Sequence, residues 1–96
     1  MGIGRYFFII KLNIIMKDDK SLITFSEFPL AVALLCKNIK LLNITKEENN
    51  KQQFFVFGRQ ETGNLMNDFW NGELFVDAKE FWQKSRELKA RMRMSI

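Results

Sequence analysis

The chain has 96 residues, 47 % of them hydrophobic, with ten Phe, two Trp, one Tyr, one Cys and no His. That is the length of one domain with enough apolar content for its own core, while a lone Cys excludes an internal disulfide and the missing His excludes a His-dependent triad or a His/Cys zinc site. The net charge of +4 is uneven: residues 1–15 carry two bases and no acid, residues 16–78 seven bases and nine acids, and residues 79–96 six bases and two acids.

Tyr6-Phe7-Phe8-Ile9-Ile10 is a dense apolar run, interrupted by Lys11 and resumed by Leu12-Asn13-Ile14-Ile15-Met16. It is too short and too broken to span a bilayer, which takes about 20 apolar residues. Asp18 and Asp19 stand where a signal peptide needs small residues, and Tyr6 stands where acylation at Gly2 needs Ser or Thr. Two readings fit. The run is an extra strand pairing with a sheet on this chain or a neighbour, or it is a start-site artefact upstream of a domain that begins at Met16. The expected organisation is an apolar extension over 1–15 and a single compact α+β domain over 16–96.

Ser21–Phe25 is β-rich and reads as a short strand or an extended lead-in. Thr24 and Ser26 are candidate N-caps for a helix over Glu27–Lys37, with Pro29 in its tolerant first turn. Phe28, Ala31, Val32, Leu35 and Ile39 recur at helical spacing and predict one buried face. Asn38 suits a left-handed stop. Lys40–Thr45 and Gln53–Gly58 predict two strands of an antiparallel hairpin across the polar stretch Lys46–Lys51. Leu42 and Ile44 are expected to share a buried face, and Phe54-Phe55-Val56-Phe57 reads as apolar on both faces.

Gln60–Asn71 predicts the next helix, with a stripe of Leu65, Met66, Phe69 and Trp70 and a stop at Gly72. Gly63 weakens its first turn by up to about 1 kcal/mol relative to Ala. After the extended link Glu73–Val76, Asp77 is the N-cap of a last helix over Ala78–Met92, with Glu80 completing a capping box. Ala78, Phe81, Trp82, Ser85, Leu88 and Met92 form its apolar stripe, bordered by Lys79, Arg86, Lys89 and Arg93 on one side and Lys84 and Arg91 on the other. The fold class is therefore α+β: a small antiparallel sheet of 40–45 and 53–58, which 21–25 and, on the extra-strand reading, 5–15 can join, packed against three helices of about 27–37, 60–71 and 78–92.

Chemistry-bearing groups are few. Cys36 sits beside Leu35 on an amphipathic helix and reads as a small buried hydrophobe, with no His to activate its thiol. Glu47 and Glu48 share a polar turn and lack the burial that acid–base work requires. Asp68, Glu73 and Asp77 lack calcium-loop spacing, and Gly58 to Gly63 brackets no phosphate loop. No catalytic residue, metal ligand or cofactor site is expected.

Two sets of motifs form a pattern. One is Phe69-Trp70-Asn71-Gly72-Glu73-Leu74-Phe75-Val76-Asp77, then Phe81, then Arg86-Glu87-Leu88-Lys89. The other is Phe25-Ser26, Leu30-Ala31, Leu34-Leu35, Lys40-Leu41-Leu42 and Phe55-Val56-Phe57. Together they resemble a family of short α+β proteins from bacteria, archaea and their phages, a domain of unknown function, over about residues 24–92. Ala78 stands where that family often has Pro, and Asn38 where it often has Gly. Both are backbone positions, so the fold implied is unaffected. The resemblance implies a compact α+β domain and a phage or mobile-element setting, and no activity or site residues.

The expected function is a non-catalytic, cytoplasmic protein-interaction module that self-associates or docks on a larger partner, with no membrane and no small-molecule substrate. Its candidate interface is Tyr6, Phe7, Phe8, Ile9, Ile10, Phe55 and Phe57, on the ground of excess apolar surface. The alternative is a nucleic-acid-associated protein, with Lys79, Arg86, Lys89 and Arg93 as candidate phosphate-binding residues.

Overall fold

Strands form where β-rich runs alternate, and helices where an apolar period meets a cap. The computed structural model describes residues 20–47 and 52–94. In chain order these form β1 (Leu22–Phe25), α1 (Phe28–Cys36), β2 (Leu41–Lys46), β3 (Gln53–Gly58), α2 (Arg59–Thr62), α3 (Leu65–Trp70) and α4 (Ala78–Met94). The fold is α+β, as expected, with four helices where three were expected. The segment 5–15, offered above as an extra strand, lies outside the described residues.

The sheet has the order β1-β3-β2, with β3 antiparallel to both neighbours. Segment 21–25 thus joins the sheet beside β3. β1 and β2 consequently run parallel, separated by β3, and α1 lies in the crossover between them. Phe25 stands opposite Phe55, and Leu41 opposite Phe57. One face of the sheet, bearing Ile23, Phe25, Leu41, Ile44, Phe55 and Phe57, packs into the core. Phe25 stacks on Phe57 with ring centroids 5.6 Å apart, and Phe28 meets Phe55 edge-on at 6.4 Å. On the other face, Val56 pairs with Thr24 and Asn43 and Phe54 with Thr45. The strand is apolar on both faces, but its neighbours make that second face mixed.

Leu42 departs from expectation. A register irregularity falls between Leu41 and Asn43, so Leu41 and Ile44 point into the core while Leu42 is exposed. Three residues apart, Leu41 and Ile44 would face opposite ways in a regular strand. The extra residue resets the parity and turns Leu42 out.

α1 also departs. It is apolar around its circumference, and six of its nine residues are buried: Leu30, Ala31, Val32, Ala33, Leu34 and Cys36. A helix of that kind belongs in the interior, not on one flank. Neither Thr24 nor Ser26 caps it; Glu27 holds the N-cap position without a side-chain bond, and Thr24 is paired in β1. Its end follows the sequence. Asn38 is left-handed at φ 64, the Asn38 N–H donates to Leu35 O and the Ile39 N–H to Leu34 O, each at 3.0 Å. That pair of bonds is a Schellman closure.

The helix expected over 60–71 is broken in two. Gly63 adopts φ 46 and ψ −127, a conformation that side chains rarely permit, and the chain turns between α2 and α3 there. The Thr62 hydroxyl, buried beside this turn, donates to Arg59 O at 2.9 Å. Arg59 ties the turn to β1: its N–H donates to Ser21 O at 2.7 Å, and its guanidinium to Lys20 O at 2.9 Å and Leu22 O at 3.3 Å. α3 then closes at Gly72, which has φ 73, with the Gly72 N–H on Phe69 O and the Glu73 N–H on Asp68 O.

Candidate functional site

α4 is the longest element, 17 residues or about 25 Å of helix. Three attachments fix its rotation. At its start, the Glu80 N–H donates to Asp77 Oδ2 at 3.0 Å and the Phe81 N–H to Asp77 O at 2.8 Å. Asp77 is the N-cap that the sequence predicts. Along its length, Leu88 is fully buried, and Phe81 and Met92 pack on the core. Near its end, Gln53 Nε2 on β3 donates to Met92 O at 3.0 Å, satisfying a last-turn carbonyl.

With Leu88 as the buried centre line and about 100° per residue, Phe81 and Met92 fall within about 40° of it. Trp82 falls about 120° away, and it is 56 % exposed. This corrects its expected place in the apolar stripe: Phe81 takes the inward position, and its neighbour must point outward. Lys89, Trp82, Arg93, Arg86 and Lys79 then occupy one arc of about 80°. All five are exposed. No acid falls in that arc; Glu80 and Glu87 lie on the other flank, where Lys84 Nζ approaches Glu87 Oε1 at 3.7 Å. The four candidate phosphate-binding residues are thus brought into one line, spaced i, i+7, i+10, i+14, with a tryptophan at i+3.

Local contacts shape that line. The Arg86 guanidinium lies 4.9 Å from the centroid of the Trp82 ring. Lys89 Nζ lies 5.7 Å from the centroid of Phe28, its stem covering the core edge. Glu80 in the first turn and Arg91 and Arg93 in the last complement the helix dipole.

The candidate interface residues fare differently. Phe55 and Phe57 are 1 % and 0 % exposed, in the centre of the core, so neither is available to a partner. β3 is the central strand, and α1 and α4 contribute to the cluster that covers its inner face. Tyr6, Phe7, Phe8, Ile9 and Ile10 lie outside the described residues. Among the described residues, the exposed aromatics are instead Trp82, Trp70 at 61 % and Phe75 at 80 %. Trp70, expected inside, stands edge-on to Phe69 with centroids 5.0 Å apart while Phe69 packs on the core. Adjacent helix residues point about 100° apart, so with Phe69 on the core Trp70 turns outward. The sequence signal for Trp82 was its angular distance from Leu88; for Phe75 it was its place in an extended link.

Cys36 is buried, and desolvation pushes its thiol above the ordinary value, with the Glu80 carboxylate adding to that. It stays a neutral thiol at physiological pH. Among the described residues, no three His, Cys, Asp or Glu side chains gather to hold a metal ion, and no helix is long and apolar enough to cross a membrane. No curated protein and no solved structure matches the chain. A family model does match, over residues 20–94, which contain every element from β1 to α4. The chain therefore belongs to the family described as Domain of unknown function (DUF5659).

Proposed function

We propose that the chain is a small non-catalytic binding module that associates with nucleic acid through the outer face of α4. The observation that carries this reading is the single acid-free line of Lys79, Arg86, Lys89 and Arg93, all exposed on a helix whose rotation is fixed. Cations aligned over about 21 Å meet a row of phosphates with little reorganisation. Residues 16–78, with seven bases and nine acids, leave this helix as the concentrated source of positive charge among the described residues. This reading has the protein act in the cytoplasm, beside nucleic acid, and the phage or mobile-element setting implied by the resemblance suits it.

The test is fluorescence anisotropy of a labelled oligonucleotide with the full chain at two salt concentrations. Four phosphate contacts predict a slope of log K against log salt of about −3, a loss of about 50-fold between about 50 and 200 mM salt. Arg86→Glu with Arg93→Glu should abolish binding and leave the circular dichroism spectrum unchanged. Absence of binding at low salt, or indifference to that double reversal, refutes the reading.

A second reading is a protein-interaction module, self-associating or docked on a larger partner. It is favoured by the exposure of Trp70, Phe75 and Trp82, because Trp dominates interface hot spots. Sedimentation equilibrium separates the two: a concentration-dependent dimer that Trp70→Ala and Phe75→Ala dissolve supports this second reading.

A further inference from the structure

Trp82 is the feature that a phosphate-binding helix alone leaves unexplained. It is the largest side-chain type, it is exposed, and it sits between Lys79 and Arg86 in the cationic line. A helix that only neutralises phosphates gains nothing from an indole there. We infer that this line takes single-stranded nucleic acid in preference to duplex, with an unpaired base stacked on Trp82 and flanking phosphates on Lys79, Arg86, Lys89 and Arg93. The inference rests on the nucleic-acid reading above and names its substrate class.

The argument is one of available surfaces. In a duplex both faces of each base are already stacked, so an indole at the surface meets only the sugar-phosphate rim. In a single strand the bases are free to splay, and any base has a face to offer, so stacking adds affinity without demanding a sequence. Arg86, 4.9 Å over one face of the ring, holds the indole in place, and the exposed remainder of the ring is what a base would meet. The register brings these parts together. Lys79 is one turn before Trp82, and Arg86 one turn after, so cations flank the indole along the helix axis. On the other flank of the helix, Glu80 and Glu87 are balanced by Lys84 and Arg91, so the acid-free line is where the helix draws a strand.

The experiment uses the full chain carrying Trp70→Phe, so that Trp82 is the only tryptophan emitter. A mixed-sequence 12-mer, unlabelled, is titrated as a single strand and as its duplex, with poly-glutamate as a non-nucleic polyanion. The expected result is strong quenching of Trp82 emission by the single strand and little by the duplex. In the anisotropy assay, Trp82→Ala should weaken single-strand binding about tenfold and leave duplex binding unchanged, and Trp82→Phe should restore most of the loss. Equal affinity for single strand and duplex, both above poly-glutamate and with no effect of Trp82→Ala, overturns the inference while salt-dependent binding leaves the nucleic-acid reading standing; equal affinity for poly-glutamate overturns both. No binding to any of the three at low salt overturns both.

Discussion

α1 and α4 are both helices rich in apolar residues at their contact surfaces, yet they do opposite work. α1 is buried on six of nine residues and makes the centre of the core. α4 has 17 residues, of which Leu88 is the one that is fully buried among those described. A helix apolar all round has no free surface to offer a partner, whereas one held by a single line of residues exposes the rest. Stability is therefore concentrated in α1 and the sheet, and the exposed line of cations in α4. The two are joined through Leu88, which sits in the same cluster as Leu30 and Leu34.

The sharpest test of this division is in the core. Leu34→Ala in α1 and Leu88→Ala in α4 should each cost about 2–5 kcal/mol in urea denaturation. A small loss at Leu88 would mean that α4 is not held by that line, and the cationic line would lose its fixed orientation. Gly63→Ala forces a side chain into a backbone conformation reserved for glycine, and should cost about 1–3 kcal/mol. An unchanged midpoint there would show that α2 and α3 can join into one helix. Asp77→Ala removes the cap that starts α4 and should cost about 1 kcal/mol, with Asp77→Asn recovering most of it. Trp82→Ala should shift stability by no more than about 0.5 kcal/mol, since its ring faces water. A loss of core size at Trp82 would break the comparison outright.

The smallest effect is a pH drift from Cys36. Its thiol pKa is raised in the folded state, chiefly by desolvation, so the folded chain keeps the proton that the unfolded chain gives up first. The associated stability is fully present below the ordinary thiol pKa and is lost as pH rises through the raised one. Urea midpoints for wild type and Cys36→Ala should therefore converge as pH climbs, and parallel curves would place the thiol in water.

Much of this was legible residue by residue. Asp77 with Glu80 marked the start of α4, Asn38 the end of α1 and Gly72 the end of α3, because cap chemistry is local and needs only neighbours in the chain. The family motifs over 24–92 fell within the matched stretch 20–94 for the same reason: they are short and carried by turn and cap residues. The candidate phosphate-binding residues were legible as a cluster, since helical spacing is arithmetic. Phe55 and Phe57 were misread as interface candidates because an apolar strand looks the same whether a helix of its own chain or a second molecule covers it. Gly63 was read as a weak helix residue, because glycine's tolerance of a helix and its capacity to end one are indistinguishable in a sequence. Arg59 gave no signal at all: its three bonds reach Lys20, Ser21 and Leu22, far back in the chain.

The sequence by itself therefore determined the strands, the first and last helices, the ends marked by Asn38, Gly72 and Asp77, the charge asymmetry and the family. Those properties depend on residues a few positions apart, where side-chain chemistry acts on its own backbone. Only the tertiary structure decided which of the apolar residues face inward. Leu41 over Leu42, Phe69 over Trp70 and Phe81 over Trp82 are choices between adjacent residues of similar hydrophobicity, settled by one bulge, by the packing of α3 on the core and by one buried leucine. Each of those is a long-range packing event, and the basic end of the chain becomes an aligned surface only once Leu88 has fixed which way α4 is turned.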